Sequence, residues 1–309
     1  MKIKSSLPYL MAVCKSIIYG SSILFTGTLL KSTAVMDVLA LRFLISAVAF
    51  LALALTGVIH INFRGKSLKI LAATAIFEPV FYFLFETIGI GQTTTSLAGI
   101  MSALIPVVII LCETIFLHER TTLTQKLLML VSITGVILVT VLTGNDSGQS
   151  NSVWGIAFLA LAYISGALFM ICSRKSTSRF SAVEITFFTT MVGAVVFNGI
   201  NVARHLSAGT ITSYFAPLFS WENLLGFLFL SILSSVFATL MNNYALSRIQ
   251  ASSVSALGGF STITSIILGV LVNKEILHWY HYVGMVMILI GAIGVNYITQ
   301  RRLEKQRTT

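Results

Sequence analysis

The sequence predicts an all-α polytopic membrane protein of ten transmembrane helices, folded as two inverted five-helix repeats with both termini cytoplasmic. Three observations carry that expectation. Only 10% of the residues are charged and 56% are hydrophobic, with a mean hydropathy of +0.92, whereas a soluble domain carries charge on roughly 25% of its residues. Apolar runs of about 20 residues, long enough to cross a hydrocarbon core of roughly 30 Å, recur along the whole chain. The second half also echoes the first at nearly constant spacing.

The expected spans follow in order. The first five run from Pro8 to Leu30, Val38 to Ile59, Leu68 to Ile90, Ser96 to Leu117 and Leu123 to Leu142. The next five run from Val153 to Ser173, Ala182 to Val202, Leu224 to Leu246, Ser253 to Val272 and Tyr280 to Thr299. The first apolar run continues past Leu24 without a small-residue cleavage site, so it reads as a span and not as a cleaved signal. Orientation comes from the loop cations, because Lys and Arg near span ends are retained in the cytoplasm. With the N-terminus inside, the inner loops and tails hold Lys2, Lys4, Arg64, Lys66, Lys69, Arg120, Lys126, Arg174, Lys175, Arg179, Arg248, Arg301, Arg302, Lys305 and Arg307. The outer side holds only Lys31, Arg204 and Lys274. A single miscounted span would scramble that bias, so it supports the count as well as the orientation.

The net charge of +10 does not point to nucleic acid, since the cations sit in short loops between apolar runs instead of on one water-exposed face. Cys14, Cys112 and Cys172 lie inside apolar segments without metal-ligand spacing and read as small core residues. Tyr214, Phe215, Phe219 and Trp221, in the long connection from Arg204 to Glu222, suit an interfacial aromatic belt.

A shift of 156 residues pairs Ser96 with Ser252, Ile110 with Ile266, Glu119 with Glu275, Met129 with Met285 and Gly135 with Gly291. In the earlier part a shift of 144 pairs Tyr19 with Tyr163, Ser21 with Ser165, Phe25 with Phe169, Lys31 with Lys175 and Phe43 with Phe187. The long connection absorbs the difference. The units are expected over residues 1–143 and 152–300, followed by a basic tail over 301–309. Because five spans is an odd number, the second unit enters from the opposite side of the bilayer. Two halves related in this way can enclose a cavity that opens alternately to either side, which is the geometry of a transporter.

The stretch from Ser96 to Glu119 has a small-residue start, Pro106 in mid-span and a terminal glutamate. Its counterpart from Ser252 to Glu275 precedes a span with Gly284, Gly291 and Gly294. With the five-plus-five duplication, this pattern resembles the EamA family of the drug/metabolite transporter superfamily over essentially the whole chain. The resemblance implies a ten-helix inverted-repeat fold in a bacterial cytoplasmic membrane and movement of small metabolites, often export of amino acids or related compounds. One departure is Tyr19–Gly20, where members often place tryptophan before the glycine of the first span.

Ionisable groups at membrane depth are expensive and face a cavity or a partner. Lys15, Tyr19, Ser22 and Thr26 form one polar stripe on the first span. Glu78 near the midplane shares a face of span three with Tyr82 and Phe85, Glu86 lies at its edge, and Pro79 is expected to kink that helix. Gly99, Ala103 and Pro106 in span four match Ser255, Gly259 and Thr262 in span nine, where close helix packing and cavity lining are both open readings. Asn242 aligns with Glu86, and Tyr163 with Tyr19. Arg42, Glu113 and Glu119 read as nearer helix ends, where pairing, snorkelling or capping is favoured. For Glu78 two readings stand: a proton or substrate role, with a cationic group held by charge and ring faces, or a structural pair with Lys15.

The expected partners are therefore a cationic or zwitterionic small molecule, protons and membrane lipid, with no cofactor and no metal. The five histidines lie at span ends or in loops, and the chain contains neither HExxH nor a phosphate-binding GxxxxGK[ST] loop, so an intramembrane enzyme is disfavoured. A channel or uniporter is the other alternative, and no filter-like loop supports a channel.

Overall fold

The computed structural model describes residues 6–116, 122–143 and 152–308. Glu119, the side chain of Glu113 and residues 144–151 of the expected external loop lie outside that set. Every extended element among the described residues is helical, and none is a strand. In order these are α1 (Leu7–Leu30), α2 (Val35–Leu55), α3 (Lys69–Ile90), α4 (Thr95–Ser102), α5 (Ile105–Phe116) and α6 (Leu123–Thr143). Then follow α7 (Val153–Ser176), α8 (Ala182–Ser207), α9 (Trp221–Arg248), α10 (Ala251–Ala256), α11 (Gly259–Leu271) and α12 (Trp279–Thr308). Among the described residues, eight helical spans are long and apolar enough to cross a membrane; the apolar stretches Leu123–Val139 and Trp279–Val295 are shorter. The chain is a polytopic membrane protein. Helices are the form this sequence must take in lipid, because each satisfies its own backbone donors and acceptors where no water can.

Polar residues are spent at the helix ends. Ser181 and Glu184 form a capping box at the start of α8: the Glu184 amide donates to Ser181 Oγ at 3.2 Å and the Ser181 amide donates to Glu184 Oε2 at 2.8 Å. Lys66 closes an ion pair on the same carboxylate at 2.8 Å. Asp37, in the first turn of α2, accepts from Asn201 at 3.0 Å, lies 2.8 Å from His205 Nε2 and pairs with Arg204 at 2.6 Å, which ties α2 to the end of α8. Glu275, just beyond α11, accepts from the Thr95 and Ser96 amides at 2.8 Å each, so its carboxylate sits on the N-terminus of α4.

Several spans are not continuous. At Glu78 the backbone leaves the helical region (φ −142°, ψ 120°), as a residue before proline favours, and residues 76–81 form a widened turn. A second widened stretch, Phe229–Ala238, interrupts α9. The span expected from Ser96 to Leu117 breaks at Ala103 and Leu104, where amides reach back three residues to Ile100 and Met101, and Pro106 then occupies the first turn of α5, where its missing N–H costs nothing. The span expected from Ser253 to Val272 breaks likewise at Leu257 and Gly258.

The helices pack in a definite pattern: α2 on α8, α3 on α7, α4 on α11, α6 on α12, and α1 against both α9 and α11. Small residues permit the closest approaches. A Cβ on Gly135 of α6 would lie 2.9 Å from the Gly284 carbonyl oxygen of α12, and Ser132 donates to the Ile288 carbonyl at 2.9 Å.

Candidate functional site

The breaks in α4–α5 and α10–α11 face each other across a cavity of about 260 Å³. Ser102, Ala103, Ile105 and Pro106 form one wall; Ser255, Gly258, Gly259 and Phe260 form the opposite one. Both walls are places where the helical ladder is interrupted, so small residues and turns replace a continuous ridge of side chains. Leu289, Ala292 and Ile293 of α12 and Met170 of α7 supply apolar surface.

The charge comes from two helices. Lys15 and Tyr19 stand one turn apart on α1, with the Lys15 ammonium 5.4 Å from the Tyr19 ring centroid. Tyr82 and Glu86 stand one turn apart on α3, and the Tyr82 hydroxyl donates to Glu86 Oε1 at 2.7 Å. The Tyr19 hydroxyl is 3.0 Å from Thr239 Oγ1 on α9. One cation, one anion and two phenol rings thus line a largely apolar space, an arrangement that can take a small molecule carrying both signs of charge and exclude most water.

Lys15, Tyr19, Tyr82, Glu86, Pro106, Ser255 and Gly259 of the expected site residues line this cavity. The others lie outside its wall. Ser22 donates to the Tyr19 carbonyl at 2.8 Å, and Tyr163 to the Ala98 carbonyl at 2.7 Å. Gly99 is a helix contact: a Cβ there would collide with Ser265. Thr262 is fully buried, 3.3 Å from Ser102 through their hydroxyls. Asn242 is buried, and its Oδ1 has no hydrogen-bond partner among the described residues. Glu78 is buried and makes no ion pair with Lys15, so the structural pair considered for them is not formed here.

Arg42 corrects a reading made from its position near a helix end. It does not snorkel: it is 1% exposed, Nε donates to Ser235 Oγ at 2.7 Å, Nη2 donates to Ser234 Oγ at 2.9 Å, and the guanidinium stands 4.2 Å from the Phe83 ring centroid. The double serine Ser234–Ser235 was the available signal. Met170, Phe260 and the α12 residues gave none, because an apolar cavity wall reads like any apolar core.

The family comparison agrees with this architecture. A model described as EamA-like transporter family matches residues 6–141 and again residues 153–297. An uncharacterized transporter of Bacillus subtilis (strain 168), YcxC, is 35% identical over 297 residues, covering 96% of this chain and 95% of that one. An uncharacterized transporter of Archaeoglobus fulgidus is 24% identical over 82% of this chain and 85% of its own length. A protein crystal structure at 18% identity superposes with a TM-score of 0.64 over 97% of this chain and 99% of the other, a shared fold. The chain therefore belongs to the EamA-like transporter family and is a multi-pass integral membrane protein.

Proposed function

We propose that the protein is a secondary-active transporter that moves small metabolites, amino acids, amines or related compounds, across a bacterial cytoplasmic membrane by alternating access, with export as the direction. The carrying observation is that the cavity lies where two helices break, one from each half of the chain. Broken helices at corresponding places in the two halves are the sequence-level mark of a transport site. In this reading the chain spans the bilayer ten times as two inverted repeats over residues 1–143 and 152–300, with both ends inside.

The packing pattern supports that symmetry. Exchanging each first-half span for its second-half counterpart maps the α3–α7 contact onto α9–α1, and leaves α2–α8 and α6–α12 unchanged. On the outer side α4 and α11 are locked: Gly99 abuts Ser265, Gly269 abuts Ser96, and Glu275 caps α4. The conformation is thus closed on the side of Glu275. Opening there requires the carboxylate to give up the two hydrogen bonds it accepts from the Thr95 and Ser96 amides.

Cysteine accessibility tests the reading. In this proposal Ser265→Cys is protected from an impermeant external thiol reagent, and Glu275→Ala raises its labelling several-fold by shifting the population outward-open. A cysteine at Ser255 should lose cytoplasmic accessibility in the same variant. Simultaneous access to both cysteines from both sides would replace the transporter with a channel. A reporter in the segment 144–152 found on the cytoplasmic side would remove the inverted repeat.

A further inference from the structure

A second space lies at the opposite end of the bundle from Glu275 and is separate from the cavity. It is a groove of about 650 Å³ between the start of α1, the end of α9 and the turn joining α7 to α8. Its chemistry is divided. Leu7, Met11, Leu240 and Met241 give it apolar surface, while Ser181, Ser247 and Arg248 bring polar groups from the helix ends.

Among the described residues, the charge left unpaired at that end is positive. Arg248 is exposed and leans on the Tyr244 ring, with its guanidinium carbon 5.8 Å from the centroid; Lys175 and Arg179 beside the turn are exposed, and none of the three forms an ion pair among the described residues. The acid nearest in sequence, Glu184, is engaged by Lys66 and by the amides of Ser181 and Asn62. Ala182 and Val183, the first residues of the 26-residue α8, also line the groove. A largely apolar groove with Arg248 in its wall, next to the turn at which Lys175 and Arg179 stand, complements a molecule with an anionic head and a hydrocarbon tail.

We propose that this groove is a binding site for one anionic glycerophospholipid, with an acyl chain along Met11 and Met241 and the phosphate at Arg248. The lipid belongs to the cytoplasmic leaflet, an assignment that rests on the orientation proposed above. The site itself does not depend on the transported substrate. Because the groove touches α1, which carries Lys15 and Tyr19, and α9, which carries Thr239, an occupant bridges two helices that meet at the cavity.

The test uses the full-length protein in detergent, probed with phosphatidylglycerol and phosphatidylcholine of identical acyl chains, and reads lipid retention by native mass spectrometry together with thermal stability. Phosphatidylglycerol is expected to be retained preferentially and to raise the melting temperature. Arg179→Gln with Arg248→Gln should weaken that preference by roughly 25-fold, about fivefold for each cation near the surface. Met241→Trp, which fills the trough, should reduce retention of both lipids. Arg301→Gln, outside the groove, should change neither. A photoreactive acyl chain should label the segment 240–248 in the wild type, which keeps the test open should the Trp variant fold poorly. Equal retention of the two lipids, an unchanged preference in the double variant, or labelling absent from 240–248 overturns the proposal. Retention of both lipids left unchanged by Met241→Trp overturns it too, since surface charge alone would then explain the binding.

Discussion

Lys15→Met and Glu86→Gln are each expected to reduce transport by roughly 10- to 100-fold while the protein remains folded. The estimate follows from the setting: a charged hydrogen bond made in a largely dry site is worth about 1.5–3 kcal/mol, and every 1.4 kcal/mol is tenfold. Glu86 lines the cavity and already holds the Tyr82 hydroxyl, so its replacement by glutamine keeps the shape and a hydrogen-bond acceptor but loses the charge. Glu78 occupies a different position, behind the wall at the broken turn of α3. In our reading it carries a proton and not the substrate, so Glu78→Gln should abolish accumulation driven by a proton gradient yet retain substrate exchange. The measurement is uptake and counterflow in proteoliposomes, using a substrate first identified by thermal-shift screening of amino acids, amines, nucleosides and drugs. Wild-type rates in both Lys15→Met and Glu86→Gln would detach the cavity from transport; loss of exchange in Glu78→Gln would assign that carboxylate to substrate binding instead.

Three glycine substitutions should separate packing from function. Gly259 lines the cavity, and a Cβ there meets nothing within 4 Å, so Gly259→Leu should leave the melting temperature near wild type and block transport by occupying the substrate's space. Gly135 lies between α6 and α12, where a Cβ would come within 2.9 Å of both the Gly284 carbonyl and Met287 Cβ. Neither helix can yield without moving its partner, so Gly135→Leu should cost at least the roughly 1–3 kcal/mol typical of an overpacked core and lower the melting temperature by several degrees. Gly199 is exposed, with open space where a Cβ would stand, and Gly199→Leu serves as the control: neutral or slightly stabilising, because leucine is the better helix former by roughly 1 kcal/mol. A melting temperature unchanged in Gly135→Leu, or full transport by Gly259→Leu, would contradict these packing assignments.

Much of this architecture was legible in the sequence because a bilayer leaves a chain few choices. The span expected from Val153 to Ser173 is a helix over Val153–Ser176, and the second, expected from Val38 to Ile59, runs one turn earlier as Val35–Leu55. The kink at Pro79 was readable because proline removes a donor. The interruption at Leu257 and Gly258 was not, since adjacent glycines serve equally as a packing face and as a turn. The same ambiguity covered Gly99 and Gly259, which share spacing and composition: one touches Ser265 and the other opens on empty space, a difference that only the neighbouring helix decides. Arg42 was misplaced because hydropathy measures depth along a span but not which side of the helix meets serine hydroxyls. The Asp37–His205 contact joins residues far apart in the chain, and no local pattern announced it.

The widened turns at residues 76–81 and Phe229–Ala238 fall at corresponding places in the two halves, since a shift of 156 carries 76–81 onto 232–237. Widened turns hold their backbone less well than regular helix, and the α3 turn also lacks the donor that Pro79 removes. Amide hydrogen exchange should therefore show two matched islands of fast deuterium uptake deep inside otherwise slow spans, one in each half. If these islands are the hinges about which the halves rock, a bound substrate that arrests the cycle will slow both together, so that a label read in α3 reports the motion of α9.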